Sequence, residues 1–174
     1  MQLVSAIVIY APHEVQQVAA PLMRQYAPDD FVRVPPHITL LFPFAPYERL
    51  PEAVPVLRDI FAQTAPFDIT LDGYGQFPGV TYLKPADPAP IQALYRKIFA
   101  AFPAYPPYEG RFGTETITPH MTVGVFADEA AQQAAVYPDY TPLSFRVTRA
   151  HLSYGISRAA LPWLTYEVLP LGVG

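Results

Sequence analysis

Pro35-Pro36-His37-Ile38-Thr39-Leu40-Leu41-Phe42 begins with a proline pair and continues as an apolar, β-prone run, and its central phrase returns later as Pro119-His120-Met121-Thr122-Val123. In an extended strand successive side chains alternate faces, so residues i and i+2 point the same way, about 6–7 Å apart. Each copy therefore presents an imidazole and a hydroxyl side by side on one face of a sheet. Two such pairs facing one another supply an acid, a base and two hydroxyl donors around one small anionic group. That equipment suits proton transfer on both sides of a phosphodiester. Two of four histidines followed by threonine at i+2 would arise by chance with a probability of roughly 2%.

Outward from the motifs, strand and helix character alternate. Residues 4–10 read as a buried strand, and 14–26 as a helix with Pro21 as a local distortion. The first motif strand is expected over 38–42, and a second helix around Val54, Leu57, Ile60 and Phe61. Residues 67–71 and 80–83 read as strands separated by a turn region at Gly73, Gly75 and Pro78-Gly79. A third helix follows Pro90, and an aromatic-rich loop over 102–118 leads into the second motif strand at 121–126. Asp128 is positioned as the N-cap of a short helix over 129–136, and strands are expected at 143–147, 150–154 and 163–169. The predicted fold class is α+β: one bilobal domain over 1–174, approximately duplicated, with two antiparallel-rich sheets and flanking helices around a central cleft.

Composition narrows the function classes. The chain has 174 residues, 51% of them hydrophobic and 15% charged, which describes a packed globular protein and excludes a disordered one. Its 22 prolines sit mostly at segment edges, where they punctuate. The absence of cysteine excludes disulfides, thiolate metal sites and a cysteine nucleophile, and is compatible with a cytoplasmic location. Residues 3–10 are too short to span a bilayer and lack the basic flank of a secretion signal, so no membrane partner is expected. A net charge of −4 argues against coating long nucleic acids, while a nucleotide or an RNA end is electrostatically acceptable. A monomer is expected.

The phrases His37-Ile38-Thr39-Leu40 and His120-Met121-Thr122-Val123, with their placement along a short chain, make this sequence resemble the 2H phosphoesterases, which include 2′-5′ RNA ligase-like proteins and cyclic nucleotide phosphodiesterases. The resemblance implies a bilobal α+β fold and metal-independent chemistry on 2′,3′-cyclic phosphates or 2′-5′-linked RNA, with no cofactor. Many members of that family carry a basic residue just after the second motif, where this chain reads Gly124-Val125-Phe126.

His37 and His120 are the candidate catalytic pair. Imidazole, with an ordinary pKa near 6.5, serves as acid or base at neutral pH. The first assignment makes His120 the base and His37 the acid, although the residue types alone leave the two roles interchangeable. Thr39 and Thr122 are the candidate phosphate donors, and no third ligand with suitable spacing turns the histidine pair into a metal site. Arg111 and Phe112, in the loop before the second motif, suit phosphate and base respectively. His13 is expected to begin a helix, and His151 to be a satisfied sheet histidine. Tyr82 and Tyr154 could stack on a base, but core packing is the default expectation for both. Arg33 is a lesser binding candidate. A non-catalytic module binding nucleotides or RNA ends, and a 2′-5′ ligase, remain the alternative functions.

Overall fold

The computed structural model describes residues 2–157 and 159–172. Its elements run β1 (Leu3–Tyr10), α1 (His13–Tyr26), α2 (Pro28–Arg33), β2 (His37–Leu41), α3 (Leu50–Ala62), β3 (Phe67–Phe77), β4 (Val80–Pro85), α4 (Ala89–Ala101), β5 (Met121–Val125), α5 (Glu129–Ala134), β6 (Leu143–Val147), β7 (Arg149–Ile156) and β8 (Leu164–Pro170). Local chemistry accounts for some of these boundaries. Asp128 accepts a hydrogen bond from the Ala131 N–H at 2.8 Å, capping α5 as expected. Helix α1 continues through Pro21, whose ring lies on the exposed side while Ala19, Ala20, Leu22 and Met23 are buried. The six-residue α2 was not anticipated; Pro28 at its start and Asp29 and Asp30 in its first turn are favourable there.

Two expectations are corrected. The turn region expected at Gly73 and Gly75 is strand: β3 is eleven residues long, and only Pro78-Gly79 turns the chain into β4. Gly75 is a strand glycine because a Cβ there would collide with the Tyr82 ring, so the residue marks a close approach and not a break. Gly73 follows a register shift between β3 and β4.

The two expected sheets are one. All eight strands join in the order β6-β3-β4-β5-β2-β1-β7-β8, with every pair antiparallel. The motif strands β2 and β5 meet at the centre through the register pair Ile38↔Met121, and this joint fuses the two halves. Strand β6 stands at one edge and β7 next to the other, yet Thr148 alone connects them. A one-residue link holds Val147 and Arg149 within about 7 Å, so the sheet must curl until its outer portions approach each other.

One face of this sheet carries the core. Ile7 and Ile9 of β1, Ile38 and Leu40 of β2 and Met121 and Val123 of β5 are all at most 2% exposed. They pack with Val15, Ala19 and Leu22 of α1, Leu57 and Phe61 of α3, and Leu94 and Ile98 of α4. Because strand side chains alternate, burying these residues turns His37, Thr39, His120 and Thr122 to the opposite face.

Candidate active site

The register that pairs Ile38 with Met121 sets His37 opposite Thr122, and Thr39 opposite His120, in continuing antiparallel alignment. The two histidines are then diagonal neighbours, a relation that in a regular sheet separates Cβ atoms by about 7–8 Å. Two imidazoles at that spacing can reach opposite sides of one phosphoryl group. Their proximity is felt electrostatically: a charge on His120 disfavours a charge on His37.

Each ring is held in the same way. The Nδ1–H of His37 donates to the Pro35 carbonyl at 2.8 Å, and the Nδ1–H of His120 donates to the Thr118 carbonyl at 2.8 Å. A carbonyl only accepts, so these bonds place a proton on Nδ1 and leave Nε2 to carry the lone pair or the exchangeable proton. Both copies thus reuse one local device, a carbonyl two residues upstream fixing the tautomer and pivot of the ring. The hydroxyls of Thr39 and Thr122 make no side-chain hydrogen bond among the described residues and are half-buried on the same face.

The surroundings are aromatic. Phe77 and Tyr82 stand 5.2 and 5.3 Å from the His120 ring, and Tyr10 stands 6.4 Å from His37. This apolar wall withdraws water from the imidazoles. Burial lowers both pKa values, that of His37 further, to about 4, with the nearby His120 adding to the effect and the Pro35 carbonyl opposing it. Both rings are therefore neutral near pH 7 in the unliganded protein.

The predicted residues divide. His37, Thr39, His120 and Thr122 share one face around the central joint. Arg111 is exposed and paired with Glu109 at 3.1 Å, and Phe112, 80% exposed, packs edge-on against Tyr108. Their loop is anchored near the first motif, since the Tyr108 N–H donates to the Phe42 carbonyl at 2.6 Å. Arg33 is tied to Asp30 and to the Ala159 carbonyl, and His13 begins α1 and bonds Gln17 at 3.0 Å. Tyr154, half-buried, packs against Tyr47 and Tyr166.

Two neighbours, Tyr10 and Ser153, were not singled out from the sequence, and a third, His151, was expected to be a sheet histidine with the cleft as the lesser alternative. Val8↔Thr39 and Tyr10↔His37 across β1–β2, together with Val8↔His151 and Ala6↔Ser153 across β1–β7, put Tyr10, His151 and Ser153 on the motif face. Tyr10 touches His151 at 4.7 Å and shares a 2.8 Å hydrogen bond with the Ser153 hydroxyl. His151 is also 3.5 Å from the Thr165 hydroxyl, so it has a sheet partner while still facing the site. Tyr82, for which core packing was the default expectation, is buried as expected and also forms part of the wall against His120.

The chain is similar to known proteins in sequence and in fold. A family model described as the 2′-5′ RNA ligase superfamily matches residues 10–155, a span that contains both motifs. A protein of Geobacillus kaustophilus that carries a provisional phosphoesterase name is 28% identical over 95% of each chain. A similarly named protein of Bacillus cereus is 29% identical over 97% of this chain and 96% of its own. Among solved structures, Escherichia coli LigT complexed with 3′-AMP superposes with a TM-score of 0.73 at 20% identity, covering 98% of this chain and 99% of its own. TT0787 of Thermus thermophilus gives a TM-score of 0.66 at 21% identity, with 99% coverage of both chains. LigT has also been solved with ATP, NADP+ and phosphate.

Proposed function

The chain belongs to the 2′-5′ RNA ligase superfamily, the 2H phosphoesterases, and we propose that it is a metal-independent phosphodiesterase acting on 2′,3′-cyclic phosphate ends of RNA or on small cyclic or 2′-5′-linked nucleotides. The observation that carries this reading is the matched pair of Nδ1-tethered imidazoles, diagonal across the Ile38↔Met121 joint, each with a threonine beside it. The nucleotides held by LigT, 3′-AMP among them, support the substrate class. The position of β2 and β5 at the centre of the strand order, each with three strands on its outer side, supports a two-lobed reading of the 1–174 domain.

One histidine Nε2 takes the proton of the attacking water as the O–P bond forms. The other gives its proton to the departing ribose oxygen as that O–P bond breaks. The charge that develops on the nonbridging oxygens is met by the Thr39 and Thr122 hydroxyls. In the unliganded protein burial disfavours the charged form of both rings, and that of His37 more strongly. That order favours His37 as base and His120 as acid, the reverse of the first assignment. An anionic phosphate between them raises both pKa values and restores a proton to the acid.

The test is turnover of 2′,3′-cyclic AMP with a chelator present. The wild-type protein hydrolyses it, and His37→Ala or His120→Ala lowers kcat by roughly 10²–10⁴. Activity that survives both replacements, or that chelation abolishes and a divalent ion restores, overturns the scheme.

A further inference from the structure

Beside the candidate site lies a cavity that the scheme above does not use. It has a volume of about 280 Å³ and opens between the end of β1 (Ile9 to Pro12) and the β6–β7 junction (Phe145 to Arg149), with Tyr10 and His151 in its wall. Tyr10 is the shared partition, since the same ring touches His37 on one side and His151 on the other. The curl of the sheet creates this space: the junction at Thr148 draws β6 and its Arg146 toward β7 and its Arg149.

The lining is unusual for a chain of net charge −4. Arg146 and Arg149 flank the cavity, with the hydroxyl-bearing Thr148 between them in sequence and His151 on the same strand as Arg149. Arg146 is partly neutralised by Asp68 at 3.3 Å, whereas Arg149 makes no salt bridge among the described residues. Register places Arg149 and His151 two residues apart on β7, hence on one face, and that face also carries Tyr10 and His37. An arginine with no carboxylate partner, beside a hydroxyl and an imidazole in a concave wall, is suited to a phosphoryl group.

We propose that this arginine-flanked cavity is a second anion subsite, which takes a phosphate of the substrate other than the one held between His37 and His120. The preferred substrate is then a nucleotide with two phosphates, either a 5′-phosphorylated nucleotide or a short RNA whose next phosphodiester reaches past Tyr10. The inference rests on the proposed function for the position of the first phosphate, and its test is separable from turnover.

Binding of three probes to the intact protein is measured by calorimetry: 3′-AMP, adenosine 3′,5′-bisphosphate, and the dinucleotide ApA ending in a 3′-phosphate. The wild-type protein binds at least one two-phosphate probe about 10-fold or more tighter than 3′-AMP, as a charge-assisted arginine contact warrants. In Arg149→Ala, and further in Arg146→Ala with Arg149→Ala, that ratio falls toward one. Equal affinity for all three probes in the wild type, or a preference that survives the double replacement, overturns the proposal. Failure to hydrolyse 2′,3′-cyclic AMP with the ratio intact overturns the catalytic scheme and leaves the subsite standing.

Discussion

His37 and His120 are chemically the same residue in nearly the same local setting, so whatever distinguishes them lies in their surroundings. Each donates Nδ1–H to a carbonyl two residues upstream, but burial depresses His37 further, to about 4. A pH profile alone cannot tell a neutral His37 with a cationic His120 from the opposite, because both states carry one proton. A leaving group that needs no protonation does tell them apart. On a nitrophenyl phosphodiester, the variant lacking the acid recovers most of its rate while the variant lacking the base does not. His120→Ala is therefore expected to exceed His37→Ala on that substrate by about tenfold or more, and the opposite ranking returns His120 to the base. The threonines are tested by removing only the donor: Thr39→Val or Thr122→Val keeps the β-branched shape and should lower kcat/KM by about 10–100-fold, the loss of one hydrogen bond to a charged oxygen. These four residues were legible in the sequence because strand alternation is a local rule. Tyr10 and Ser153 were not: Tyr10 meets His37 through the pairing of β1 with β2, Ser153 bonds Tyr10 through the pairing of β1 with β7 across 143 positions of chain, and no local pattern encodes either pairing.

At the scale of elements, β3 is where local signals and tertiary structure part. Glycine marks both turns and close approaches, and Gly75 is the second kind: Tyr82 of β4 lies over it, with Phe77 4.6 Å from Tyr82 and His120 beyond both. Gly75→Ala cannot be absorbed by moving solvent, since Tyr82 is only 8% exposed. The ring must shift toward His120 or the strands must part. The expected cost is about 1–3 kcal/mol of stability, the range for overpacking a filled site, accompanied by loss of turnover. A double variant with Tyr82→Leu should regain stability, since it removes the ring that the new methyl meets; unfolding midpoints of the two proteins measure this. An unchanged midpoint in Gly75→Ala would mean that the ring is not held there. The helices were easier to read, since α1, α3 and α4 announce themselves by apolar spacing, whereas α2 has six residues, none of them buried, and therefore no stripe to detect. The fusion of two expected sheets into one was invisible for a similar reason: a single pair, Ile38↔Met121, does the joining.

For the whole molecule, the same burial that equips the site opposes folding at low pH. His37 and His120 have folded pKa values below the unfolded value near 6.5, so the unfolded chain takes up protons that the folded protein refuses. Their neutral forms are accommodated fully above pH 6.5, and stability is lost as pH falls from there toward 4, by at most about 1.4 kcal/mol per pH unit for His37. Asp30 acts in the opposite sense, because burial raises its pKa and protonation relieves it as pH falls. Between pH 7 and 5 the unfolding midpoint should therefore fall by several degrees, and His37→Gln, which keeps a polar side chain without a titrating proton, should flatten that slope. A bound phosphate reverses the preference of both imidazoles, so saturating 3′-AMP should raise the midpoint more at pH 5.5 than at pH 7.5. Thermal unfolding at the two pH values, with and without the nucleotide, reads both effects. A nucleotide-induced shift equal at the two pH values would mean that the bound phosphate does not sit between the histidines.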